Sequence, residues 1–305
     1  MNNHLILKFI SEKQYATDFL NGNLYMNSLY YFWNEYPLLV AKQKKEKYIT
    51  EHPEVNSDEI VIPIEYKLSP GQADLFEGTI GFSRSEIIKG DFGKYMLTDE
   101  ILRSTGFQYC NTLSFYRLDY SYEPPFFNYD VPNLSEFGDY VVIIRDKGEL
   151  QRRIGIASER ENIDYLCGDI HYKALRCKGR ETDLSDRPHL VMKADTLVDL
   201  NDYALTSKRD CFFKMDKYAW QKEWRVAIYR GVKDTGAYRL KIGDIRDIAE
   251  CVSSKELVET LDKLLASDQI RPGGDGYYGN ISRKEMKEKY YQLGDNKAEL
   301  FFFLG

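Results

Sequence analysis

Histidine and cysteine are both scarce. The 305-residue chain carries four histidines, at 4, 52, 171 and 189, and five cysteines, at 110, 167, 177, 211 and 251. No two cysteines form a CxxC pair and the histidines are dispersed, which argues against a zinc site or a His-rich metal centre. An odd number of widely spaced cysteines fits reduced thiols in a cytoplasmic setting. No apolar run approaches the roughly 18 residues of a membrane helix. The start, MNNHLILKFISEKQY, lacks the layout of a signal peptide. A P-loop GxxxxGK[ST], a GxGxxG following a strand and a GxSxG elbow are all missing, so phosphate sites and hydrolase triads of those kinds are unsupported. The glycine cluster in RPGGDGYYG (271–279) reads as a turn. A net charge of −6 speaks against a domain that grips nucleic acid mainly by electrostatics.

Aromatic residues are plentiful. With 43% hydrophobic and 14% aromatic residues the chain can bury a core, and its 24 tyrosines and 16 phenylalanines suit strands. HLILKFI (4–10), FQYCNTLSFYRL (107–118), DYVVIIRD (139–146), DIHYKALRC (169–177) and YRLKIGD (238–244) read as strands, NLYMNSLYYFWN (23–34) as a strand and a turn, and EIVIPIEY (59–66) as a strand at an edge or a bulge because of Pro63. Ser11 is the expected N-cap of a helix that ends at Gly22. Further helices are expected over 148–160, over 253–267 with Leu257, Leu261 and Leu264 or Leu265 on one stripe, and over 280–294. The basic run 41–48 is a solvated helix or loop. Without regular βαβ alternation, repeats or a composition break, the economical reading is one α+β domain with insertions.

KYAWQKEWRVAIYRG (217–231) raises the functional question. Strand alternation puts Trp224, Val226 and Ile228 on a buried face. Gln221, Glu223 and Arg225 fall on the other face with Ala227 and Tyr229. Two tryptophans flank the Gln-x-Glu pair, which suggests a carboxylate in a partly dry setting, where its charge acts strongly on a developing cation. Two other segments bear chemistry. In CNTLSFYR (110–117), Thr112 and Ser114 are either a cross-strand hydrogen-bonding pair or hydroxyls that orient a carboxylate. In GQADLFEG (71–78), Asp74 and Glu77 serve turns and caps or, with Glu223, bind the divalent metal of a nuclease.

FLNGNLYMNSLYYFWN, GQADLFEG, CNTLSFYR, FGDYVVIIRD and W-x-x-E-W-R, in this order over about residues 4–231, resemble a bacterial and phage-borne family to which the abortive-infection AbiGi proteins are similar. That resemblance implies a non-catalytic, antitoxin-like binding protein, and the partner expected is a cognate antitoxin or toxin. A more distant similarity is to toxin-type mono-ADP-ribosyltransferases. Those carry a basic residue on the first strand, a Ser-Thr-Ser-like strand and a Gln-x-Glu or Glu-x-Glu element. Lys8, Thr112 with Ser114, and Gln221 with Glu223 stand here in that order, with Lys in place of Arg and NTLS in place of STS.

The second resemblance implies a split, mainly antiparallel sheet flanked by helices over residues 1–231, with residues 232–305 as a strand and helical extension packed on that core. It also implies NAD as cosubstrate. Glu223 would stabilise the oxocarbenium-like transition state, Ser114 would orient it and Gln221 would hold the acceptor. Lys8, Thr112, Phe115 and Arg225 would bind NAD, and no metal would be needed. For Arg225 a structural ion pair is the other open role. Tyr25, Phe115 and Trp220 are the rings available for nicotinamide. The acceptor is open among protein, RNA, DNA and small molecules.

Overall fold

A computed structural model describes residues 3–32, 42, 46, 49–53, 79–83, 87–90, 93–96, 98–104, 108–123, 126–131, 137–173, 191–196, 210–267, 270, 277–281 and 298–303. Their strands, in chain order, are β1 (Asn3–Ile10), β2 (Asn23–Ser28), β3 (Thr79–Ser83), β4 (Ile87–Gly90), β5 (Gly93–Met96), β6 (Thr98–Ser104), β7 (Asn111–Glu123), β8 (Phe126–Tyr129), β9 (Tyr140–Ile144), β10 (Asp164–Asp169), β11 (His171–Lys173), β12 (Val191–Thr196), β13 (Phe213–Met215), β14 (Glu223–Tyr229), β15 (Tyr238–Lys241), β16 (Ala249–Ser253), β17 (Tyr278–Gly279) and β18 (Ala298–Phe303). The helices among the described residues include α1 (Lys13–Leu20), α2 (Lys147–Arg160) and α3 (Leu257–Leu265). The expected α+β class with a mainly antiparallel sheet is what the chain adopts. The strand at 59–66 and the helix at 280–294 lie outside the described residues.

Ten strands make the main sheet, in the order β16-β9-β1-β7-β14-β10-β17, with β8 and β2 also on β7 and β15 on β2. Its ladders are all antiparallel. The segment after residue 231, expected as an extension packed on the core, supplies β15, β16 and β17 to this sheet. β18 joins β12, β6 and β3 in a second sheet.

The apolar runs of β1, β9 and β14 explain their central places, because both of their faces are covered. On one face Ile6, Val142, Trp224, Val226 and Ile228 pack with Phe19 of α1 and Leu150 and Ile154 of α2. On the other, Leu5, Leu7, Val141 and Ile143 meet the stripe Leu257, Leu261, Leu264 and Leu265 of α3. A separate cluster takes Ala227 and Tyr229 together with Phe212 and Leu166. The face opposite Trp224, Val226 and Ile228 carries Glu223, Arg225, Ala227 and Tyr229, as the alternation predicts, and it is covered too: all seven residues of β14 are buried.

Helix ends bear out some signals and correct others. α2 is capped by Asp146, whose carboxylate accepts from the Glu149 N–H. α1 starts one turn position later than its sequence suggests. Glu12 rather than Ser11 is its N-cap, and no side chain caps it.

Gly22 follows α1 at φ +79°, a conformation favoured by glycine. A Cβ there would overlap the Gly243 carbonyl. The backbone approach it permits carries two hydrogen bonds of 2.9 Å, Ile242 N–H to the Gly22 carbonyl and Ile245 N–H to the Leu20 carbonyl. Gly22→Ala is expected to lose about 2 kcal/mol or more, from left-handed strain plus the backbone overlap. Urea unfolding measures this, and a loss under about 0.5 kcal/mol would contradict the packing described here.

Candidate functional site

The site begins where two strands part. β1 pairs with β7 from Asn3–Tyr120 to Leu7–Tyr116, and the ladder ends there. Past that point β1 continues beside β9, through Lys8–Val142 to Ile10–Tyr140. β7 instead takes β2, at Asn27–Thr112 and Ser28–Asn111. A fork deprives facing strand edges of their usual partners, and buried backbone groups there need other ones. Lys8 answers this need: its Nζ donates to the Ser114 carbonyl at 2.9 Å. Burial in the fork drives the Lys8 pKa down to about 8, and attraction to Glu223 offsets part of that drop.

Across the fork lies β14, in register with β7 through Arg225–Ser114 and Glu223–Tyr116. Paired residues share a face, so Ser114, Glu223 and Arg225 project together. The Ser114 hydroxyl donates to Glu223 Oε1. Arg225 donates to the same oxygen through Nε at 2.7 Å and Nη2 at 2.6 Å. Lys214 Nζ holds Oε2 at 2.7 Å. Burial alone would raise the Glu223 carboxyl, but Arg225 and Lys214 outweigh it and hold it well below the ordinary carboxylate range.

Gln221 reaches this cluster by a different route from the one its spacing implies. It ends a 3-10 helix, Asp216–Gln221, and is not on the strand. Lys222 then turns the chain at φ +40°, and β14 opens at Glu223. The turn is tied down by the Lys222 N–H to the Ala219 carbonyl at 3.2 Å and by the Arg117 N–H to the Lys222 carbonyl at 2.7 Å. Lys214 Nζ donates to Gln221 Oε1 at 3.0 Å, and Gln221 Nε2 is buried with no hydrogen-bond partner among the described residues.

These residues line a cleft of about 750 Å³, together with Thr112, Phe115, Tyr25, Phe32, Phe137 and Arg239. At its base three cations, Lys8, Lys214 and Arg225, face one carboxylate. The excess positive charge and the aromatic walls suit an anionic ligand that carries a ring.

Among known proteins nothing matches this chain, whether family model, curated protein or solved structure. The cleft's own residues carry the functional reading.

The fork brings together Lys8, Ser114, Gln221 and Glu223 as the sequence order implied, with Thr112 also on the lining. Two of the residues expected to bind NAD have structural contacts as well. Arg225, 1% exposed, is spent on Glu223 and on the Cys211 carbonyl at 2.6 Å, so of its two open roles the ion pair is the one observed. Phe115, 2% exposed, packs edge-on to Trp224 and Phe19 in the core while it also lines the cleft beneath Lys8. Tyr25 and Trp220 keep exposed rings. Asp74 and Glu77 lie outside the described residues, and among the described residues no three His, Cys, Asp or Glu side chains gather as a metal site.

Lys214 and Tyr172 escaped sequence reasoning. They are neighbours on β13 and β11, a short parallel ribbon. The Tyr172 hydroxyl accepts the Glu223 N–H at 2.8 Å. Neither stands in a pattern that announces it, because β13 is three residues long.

Two outcomes follow. Lys222→Gly is expected to stay within about 1 kcal/mol of the parent in urea unfolding, while Lys222→Val loses about 2 kcal/mol, since a β-branched residue resists positive φ. Equal stability of the two variants would remove the strain assigned to this turn. For Lys8, the folded pKa of about 8 lies below the ordinary 10.5. Below about pH 8 both folded and unfolded chains hold the proton, so the burial penalty is fully present. As pH rises toward the ordinary value only the unfolded chain holds it, and stability increases. The stability gap by which Lys8→Met exceeds the parent is thus expected to narrow between about pH 7 and about pH 10. A gap independent of pH would contradict the burial of the ammonium.

Proposed function

We propose that the cleft binds NAD as a substrate and that the protein is an ADP-ribosyltransferase of the toxin or phage-defence kind. The observation that carries this reading is the meeting of Lys8, Ser114 and Glu223, from three strands, at a fork in a mainly antiparallel sheet. In such a transfer the nicotinamide–ribose bond breaks, nicotinamide leaves with the bonding electrons, and the acceptor nucleophile takes the ribose carbon. Glu223 stays ionised, as a carboxylate that steadies a cationic centre must. Ser114 fixes Oε1, and Oε2 keeps lone-pair capacity beyond its bond to Lys214. Lys8 is the floor cation with no carboxylate within ion-pair distance among the described residues, so it is the one open to a pyrophosphate. Arg239, an exposed guanidinium over the Tyr25 ring at 5.4 Å, offers a second phosphate contact at the rim.

A second reading draws on the same carboxylate. Glu223 accepts from Ser114, Arg225 and Lys214 together, the pattern of a buried structural ion cluster. On this reading the protein is a non-catalytic binding partner, antitoxin-like, and the cluster only holds β14 in place.

Nicotinamide release from NAD separates the two. The transferase reading expects release by the parent and a drop of at least about 100-fold in Glu223→Gln, with Ser114→Ala reduced less. NAD is also expected to raise the melting temperature, and to do so less as pH passes about 8, where Lys8 loses its charge. A parent protein that neither binds NAD nor releases nicotinamide, yet loses several kcal/mol of stability in Glu223→Gln, leaves the binding reading in possession.

A further inference from the structure

Lys214 makes two contacts that no single strand could arrange. From β13 its ammonium reaches Glu223 Oε2 at 2.7 Å on β14 and Gln221 Oε1 at 3.0 Å at the end of the 3-10 helix. It is 4% exposed, and the two residues it joins are 5% and 6% exposed. Between them the chain turns at Lys222 with positive φ, and Lys214 is the side chain that contacts both residues flanking that turn. We propose that Lys214 is the positioning residue of this site, binding Gln221 and Glu223 into one unit at the cleft floor. This inference rests on the cleft being the functional site, and its test is read at Glu223 itself as well as in turnover.

Two consequences follow from the chemistry of an ammonium. A lysine only donates, so the amide of Gln221 is oriented: Oε1 faces Lys214, and Nε2 is left as the donor. Nε2 is buried and without a protein partner among the described residues, which makes it the group that a ligand oxygen would satisfy. The second consequence concerns charge. Glu223 is faced by Arg225 on its own strand, Lys214 from β13, Lys8 from β1, Ser114 and Tyr116 from β7 and Tyr172 from β11. Of these, Arg225 and Lys214 are the cations in contact. Losing Lys214 therefore weakens the ionised form of Glu223 and frees the Gln221 amide to flip. Losing a remote cation does neither.

The variants are Lys214→Gln, which keeps hydrogen bonding without charge, and Lys214→Arg, which keeps the charge. Glu223 is followed by carbon NMR of its labelled carboxyl through a pH titration, with Glu223→Gln as the assignment control and circular dichroism as the check on folding. Lys214→Gln is expected to move the Glu223 titration up by about one unit or more, and Lys214→Arg to leave it near the parent value. In turnover the acid limb of the pH profile follows the same shift, and Lys214→Arg restores the limb while kcat stays reduced because the shape of the Gln221 contact has changed. A Glu223 titration that is the same in Lys214→Gln and in the parent overturns the proposal. If the parent releases no nicotinamide, the transferase reading fails while the titration still decides the role of Lys214. If Lys214→Gln does not fold, Lys214→Arg decides alone: a Glu223 titration displaced upward despite the retained charge overturns the proposal, and one that stays low upholds it.

Discussion

A single carboxylate governs the middle of this molecule. β14 is buried on both faces, and Glu223 sits at its first position with 5% of its surface exposed. An isolated carboxylate in that place would not remain charged, because burial without partners costs far more than a fold can spare. Ser114, Arg225 and Lys214 make the charge tolerable. Each partner then imposes a structure of its own. Ser114 requires β7 beside β14, Arg225 requires the 3-10 turn Asp210–Phe212 that offers the Cys211 carbonyl, and Lys214 requires the β11–β13 ribbon.

The same cluster sets what the cleft can do. Two cations touch Glu223, so the three charges together leave a positive surplus, and Lys8 adds to it. A cation developing in the cleft gains from Glu223 only if it lies closer to Oε2 than to the Lys214 ammonium. At an effective dielectric of about 20, one unit charge acts on another at 4 Å with about 4 kcal/mol, so a shift of a few ångströms decides between attraction and repulsion. An anionic group is not bound by that restriction. It meets the surplus anywhere near Lys8. Ligand binding thus leans on the phosphates of a nucleotide, while any assistance to bond cleavage depends on the placement of Oε2.

The legibility of all this in the sequence was uneven, for physical reasons. The alternation in EWRVAIY identified Trp224, Val226 and Ile228 as core, and the leucine spacing of 257–265 identified the buried stripe of α3, because both periodicities are local. The order Lys8, Ser114, Glu223 pointed to one site, and the three do line one cleft. The same alternation put Glu223 and Arg225 on the opposite face with Ala227 and Tyr229, and that sorting holds, although this face is buried as well. A strand flanked on both sides needs no solvent face, and Ala227 with Tyr229 pack into a separate cluster. Gln221 was placed correctly in space for the wrong reason, since a left-handed turn at Lys222, not strand alternation, brings it to Glu223. Lys214 was invisible because its role depends on a parallel pairing of three residues across some forty positions of chain.

The fork explains why polar chemistry collects here and not elsewhere on the sheet. A continuous ladder between β1 and β7 would satisfy its own carbonyls and leave a flat apolar surface. Ending that ladder at Leu7–Tyr116 opens a gap whose two lips belong to different neighbours, β9 on one side and β2 on the other. Lys8 is then drawn into the gap by the Ser114 carbonyl, although burial lowers its pKa toward neutrality. A lysine held at such cost in a cleft, with a carbonyl as its hydrogen-bond partner, is better served by an anion than by the protein around it. Binding one would restore the ordinary ammonium, reward the fork for remaining open and join its two lips through the ligand. The strand break is therefore the feature from which both the lysine's strain and the cleft's preference for anions descend.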